Sequence, residues 1–145
     1  MPAALAYAKR RSKAARIIAL SYPKSASEAL YSFAIATMYR FVWTANLGEQ
    51  GGESGGHFGI FLDRLPRGLG LAISSLHGSL DRPPLSRTFQ HGGIFVNPGA
   101  AAVDVHIPAG VDLWSGRSMR HVDAAFHLSL PARAAAVFVQ TPGQQ

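Results

Sequence analysis

Val103-Asp-Val-His-Ile-Pro-Ala-Gly-Val-Asp-Leu-Trp-Ser-Gly116 and, further on, Phe126-His-Leu-Ser-Leu130 are the stretches that decide the fold class. Apolar residues fall at every second position. Val103, Val105 and Ile107 alternate with Asp104 and His106, while Phe126, Leu128 and Leu130 alternate with His127 and Ser129. Strand side chains point to opposite faces in turn, so this period predicts half-buried strands with the apolar set inward. Burying each such side chain contributes roughly 1.5–3 kcal/mol. Working outward, Ile94 and Val96 alternate with Phe95 and Asn97, and Val137 and Val139 recur near the end. Turn residues separate the runs: His91-Gly92-Gly93, Asn97-Pro98-Gly99, Pro108-Ala109-Gly110 and Ser115-Gly116. Short alternating strands joined by such turns predict an antiparallel β-sandwich over residues 85–141.

Upstream the pattern changes. Ile17-Ile-Ala-Leu-Ser-Tyr22 is a short apolar run stopped by Pro23, which suits a buried strand. The end of an Ala-rich helix beginning near Pro2 is the rival reading. Ser25-Ala-Ser-Glu28 has the form of a capping box, in which a serine oxygen and a glutamate satisfy amides at a helix start. A helix is expected from there over residues 27–44. Leu30, Phe33, Ala34, Thr37, Phe41 and Ala45 form one apolar stripe of it, and Tyr31, Ile35, Met38 and Val42 a second. A lone surface helix shows one stripe, so two imply burial between two bodies. The chain thus reads as mainly β: a basic flexible leader (1–15), a short βα-like segment with one long apolar helix and a glycine-rich connector (16–84), and the sandwich.

The net charge of +6 is concentrated at the start, because six of the fourteen Lys and Arg residues precede the first acid, Glu28. Lys9, Arg10, Arg11, Lys13 and Arg16 are candidates for contact with an anionic partner, nucleic acid or lipid, by sequence-blind attraction. No aromatic platform is interleaved with them, as single-strand binding would want, and the bland reading is a solvated leader. No secretory signal is visible, and an Arg-rich, Ala-rich, acid-free start loosely resembles an organelle transit peptide. The cytoplasm is the default expectation. The most apolar stretch is interrupted by Arg40, so no membrane span is expected.

Catalytic patterns are missing. There is no cysteine, which excludes thiolate ligands and cysteine nucleophiles. Six glycines between positions 48 and 59 are not followed by a Gly-Lys-Ser/Thr, as a phosphate loop requires. Six histidines at 57, 77, 91, 106, 121 and 127 give no His-x-His on a strand and no helical i, i+4 pair, so no metal ligand set is expected. His106 and His127 are explained as polar-face strand positions. No Gly-x-Ser-x-Gly elbow occurs. Glu28 is claimed by the cap, Asp104 and Asp112 by strand alternation, and Glu49 and Glu53 lie among glycines, so no carboxylate pair stands out.

Arg87-Thr-Phe-Gln-His-Gly-Gly-Ile-Phe-Val-Asn-Pro resembles the phrase R-x-F-x-x-G-x-x-x-V-N-P that opens the β-domain following many glycoside-hydrolase barrels, closest to the glycosyl-hydrolase-like families. Ile107-Pro-Ala-Gly, Leu113-Trp-Ser-Gly and Leu128-Ser-Leu-Pro-Ala-Arg-Ala-Ala-Ala-Val-Phe-Val are similar to closing strands of the C-terminal domain in α-amylase-like and α-glucosidase-like enzymes. More loosely, Ile17 to Tyr22 and the capped helix look like a last barrel strand and helix. A full barrel needs about 250 residues with catalytic groups at several strand ends, against 145 here. The resemblance therefore implies a non-catalytic, structural or accessory β-domain whose chemistry lies upstream of Met1. It leaves Tyr22 and Lys24, after the first strand, as ligand-contact candidates, with no catalytic residue and no cofactor. The helix over 27–44 would find its cover in the β-unit, in a second copy or in a separate chain such as a barrel domain. The alternative is a free-standing β-domain for binding or assembly, its basic arm on an anionic partner.

Overall fold

The computed structural model describes residues 18–45, 68–116 and 118–141. The elements run β1 (Ile18–Ser21), α1 (Ala26–Met38), β2 (Val42–Ala45), β3 (His77–Ser79), β4 (Arg82–Phe89) and β5 (Gly92–Asn97). They continue with β6 (Val103–Ile107), β7 (Val111–Ser115), β8 (Ser118–Val122), β9 (Phe126–Leu130) and β10 (Ala134–Gln140). The described residues are mainly β, with one helix. β1 and β2 pair in parallel, a six-stranded antiparallel sheet has the order β3-β4-β5-β10-β7-β8, and β6 pairs antiparallel with β9.

One hairpin register generates much of this. Gly116, at φ +60°, turns the chain, and the pairing then holds without a slip from Ser115 opposite Ser118 out to Val103 opposite Leu130. β7 and β8 are the inner half of this ribbon and belong to the large sheet. Past Pro108–Gly110 on one arm and residues 123–125 on the other, β6 and β9 form a separate pair. Its inward residues Val105, Ile107 and Leu130 meet Val111, Leu113, Val122 and Ala136 in one core cluster. Asp104, His106, His127 and Ser129 are exposed on the opposite face.

The other face of the large sheet packs on the helix. Leu30, Ala34, Ile35 and Met38 of α1 share a core with Leu85, Phe89, Ile94, Val96, Ala135 and Val137. On its remaining side α1 meets β1 and β2. Trp43 Nε1 donates to Ser32 Oγ (3.1 Å), which lies 3.2 Å from Ser21 Oγ, and Phe33 meets Trp43 edge to face. Of the expected stripes, Leu30, Ala34, Ile35 and Met38 are buried and Tyr31, Phe33 and Thr37 half-buried, whereas Phe41, Val42 and Ala45 lie beyond the helix and Val42 is exposed. Of the covers expected for this helix, the β-unit supplies one within the chain: the large sheet lies on one side of α1 and the β1–β2 pair on another. On β1 and β2 the apolar side chains of Ile18, Leu20 and Val42 are left exposed, as are Leu71 and Ile73 elsewhere.

The helix is also shorter than the expected residues 27–44. It has 13 residues, starting at the Ser25 cap, whose Oγ accepts from Glu28 N, while Glu28 Oε2 accepts from Lys24 N. It stops because Arg40 turns to φ +60°. Phe41 N then donates to Ala36 O (2.8 Å) and Arg40 N to Thr37 O (3.2 Å), the paired bonds of a Schellman motif that satisfy the last carbonyls. Val42–Ala45 is consequently strand, not helix.

Candidate functional site

In the Arg87 to Pro98 phrase the arginine, phenylalanine and asparagine are engaged within the fold, while Thr88, Gln90 and His91 are exposed. Arg87 on β4 donates from one terminal nitrogen to Met38 O, at the helix C-terminus, and from Nε to Ser74 O (3.2 Å). It thereby joins the helix to the sheet and complements the helix dipole. Burial, and after it the Arg40 charge, lower its pKa. Phe89 is in the helix-side core. Asn97 ends β5 fully buried, and among the described residues no other polar side chain is. Its Nδ2 donates to the carbonyls of Ala101 (2.8 Å), Leu130 and Pro131 (both 3.0 Å), and its Oδ1 accepts from Gly99 N (3.0 Å). Each polar atom has partners, as burial demands. The turn after β5 and the end of β9 are held by one amide.

Tyr22 and Lys24 are exposed and stand where β1 gives way to the helix cap. This is the carboxyl end of a parallel strand, where α/β sheets bind ligands. Lys24 contributes its backbone amide to Glu28, and among the described residues no further group is brought onto Tyr22 or onto the Lys24 side chain. Lys9, Arg10, Arg11, Lys13 and Arg16 lie outside the described residues, as do Glu49, Glu53 and Asp63.

Two constellations come from the ribbon register rather than from sequence spacing. Asp112 faces His121 across β7 and β8, with Oδ1 at 3.0 Å from Nδ1. Thr141 Oγ1 lies 3.2 Å from the same nitrogen and 3.3 Å from Asp112 Oδ1, and Asp123 Oδ1 lies 3.5 Å from Nε2. A hydrolytic triad needs the acid on one ring nitrogen and the hydroxyl on the other. Here Thr141 and Asp112 share one nitrogen, and the imidazole fills the gap between the carboxylates that a sugar would need. The cluster ties the edge strand β8 to Asp112 of β7 and to Thr141, the residue after β10. The second constellation is His106 opposite His127 on the exposed face of β6 and β9, ring centroids 5.3 Å apart. Both pairings follow from counting outward from Gly116, once the Ser115-Gly116 turn is taken as a hairpin tip.

Among the described residues no three His, Asp or Glu side chains converge to hold a metal ion, and no helix is long and apolar enough to cross a membrane. Comparisons with known protein families, with curated proteins and with solved structures returned no match.

Proposed function

We propose that the chain is a non-catalytic, structural or accessory β-sandwich domain with an attached βαβ piece, belonging with a carbohydrate-active, glycoside-hydrolase-like protein. The observation that supports this reading is the use made of Arg87. The phrase that resembles the opening of such domains spends its arginine and phenylalanine on fastening a strand–helix–strand body to the sheet, and its asparagine on holding the turn after β5 to the end of β9. A parallel pair of strands is normally covered on both faces. Ile18, Leu20 and Val42 are the surface that a barrel would cover.

The described acids offer no glycosidase pair. Glu28 is in the cap, Asp112 and Asp123 bracket His121, and Asp81 and Asp104 stand exposed on opposite parts of the sheets. The test is an assay of purified protein on a panel of aryl glycosides, beside Glu49→Gln, Glu53→Gln and Asp63→Asn variants. No turnover above buffer is expected. Turnover that survives repurification and disappears in one variant would make the chain a small enzyme and overturn the proposal.

A further inference from the structure

The exposed face of β6 and β9 carries a pair of side chains that the fold does not use. His106 and His127 are register partners in an antiparallel pair, so their Cβ atoms are fixed side by side by the backbone. Both are exposed, and among the described residues neither ring has a hydrogen-bond partner. Their centroids are 5.3 Å apart and their planes are inclined by 62°. Asp104 stands two residues before His106 on the same face, opposite Ser129. Core packing explains none of these four, since the inward positions are Val103, Val105, Ile107 and their partners.

We propose that His106 and His127 form a two-imidazole site for a divalent transition ion of the zinc, nickel or copper class. Imidazole nitrogens bind such ions at about 2.0–2.1 Å, which sets the centres of two rings on one tetrahedral ion about 5 Å apart. The observed separation already has that value. At an exposed position each ring turns about χ2, which brings one nitrogen from each to a shared point. The strands supply the spacing without reorganisation, as a ligand site on paired backbone does better than one on a loop. Asp104 adds negative charge beside the pair without replacing a ligand. Imidazole donors favour zinc, copper and nickel over magnesium or calcium, which prefer oxygen. With two protein ligands, the remaining coordination positions go to water or to an exchangeable outside donor. No His-x-His or helical pair announces the site, because its two halves are 21 positions apart and meet only through the ribbon register.

The test is a zinc titration of the full chain, followed by the histidine imidazole resonances, with nickel as a paramagnetic probe. The expected result is that the rings of His106 and His127 respond first, at one ion per chain. His106→Ala and His127→Ala should each weaken binding by at least the about 10–100-fold that follows from disturbing a metal's outer shell. His127→Gln, which keeps a polar side chain on the strand, should do the same. His121→Ala should leave binding unchanged, and magnesium should move no resonance. A first response at any other histidine, or full affinity in a His106 or His127 variant, would overturn the proposal.

Discussion

The carbonyl oxygen of Phe138 stands where a side chain on Gly92 would begin: a Cβ built on Gly92 would lie 2.0 Å from it. The neighbouring Gly93, register partner of Phe138, has the phenyl ring over it instead, with Cζ 2.4 Å from its own absent Cβ. A backbone atom in a central strand cannot retreat, whereas a half-buried ring can swing. Gly92→Ala should therefore cost about 3 kcal/mol or more and Gly93→Ala about 1 kcal/mol, within the range for overpacked sites. Urea unfolding of both variants checks the order. Equal losses would show that the ring is as fixed as the carbonyl.

Asn97 holds three carbonyls and one amide without help from solvent. Asn97→Ala should cost about 2–3 kcal/mol, because it leaves buried groups unsatisfied. Asn97→Asp keeps the acceptor for Gly99 N but turns a carboxylate toward the carbonyls of Ala101, Leu130 and Pro131. It should be worse than alanine at pH 7 and recover in part as the carboxylate is protonated. Stability measured against pH for the two variants reads this directly.

At the helix C-terminus two arginines have opposite expectations. Arg40 occupies the left-handed conformation that glycine adopts freely, so Arg40→Gly should stabilise the chain by about 1 kcal/mol. It also removes a like charge from beside Arg87. Arg87→Met should cost about 1–3 kcal/mol through the lost charged hydrogen bonds. Arg87→Lys should recover little, since one ammonium cannot follow the guanidinium fork to both Met38 O and Ser74 O. Thermal unfolding of the three variants is the measurement.

Burial raises the hydroxyl pKa of Tyr31 and of Tyr39 above the ordinary 10.0, Arg133 opposing the rise at Tyr31. A folded-state pKa above the unfolded one means that the native chain holds its proton longer. This contribution to stability is fully present below pH 10.0 and is lost as pH rises through the folded values. Stability should fall on the alkaline side of that point, and less steeply in Tyr31→Phe and Tyr39→Phe. Denaturant midpoints across the range, with tyrosinate absorbance alongside, would show it.

Period-two alternation was enough to place Val105, Ile107 and Leu130 inside and Asp104, His106 and His127 outside, because the large sheet covers one face of β6 and β9. The helix end was not legible. Glycine usually marks the left-handed cap, and here arginine takes the position, so an apolar pattern that suits either period ran on into β2. The parallel pairing of β1 with β2 has no local signal, since each is four residues long and the partners are joined only through the helix. Of the side-chain constellations, the capping serine and glutamate could be read from their spacing. The Asp112 and His121 pair and the two facing histidines depend on which turn is a hairpin tip, and that is a property of the ribbon rather than of any short segment.

The unbroken register from Ser115 to Val103 also sets an order in time. Closing the tip at Gly116 costs the entropy of a very short loop, and β6 with β9 resumes the same register beyond the break at residues 108–110 and 123–125, its partners already brought close. The outer layer thus needs no separate long-range search, despite the 27 positions between Val103 and Leu130. Strand β10 has no such shortcut, because its partner β5 lies on the far side of the whole ribbon in sequence. In refolding, the amides of Leu113 and Arg120 should gain protection before those of Val105 and Leu128, and the contacts of β10 with β5 last. In this sheet the centre, not the edge, is the late-forming part.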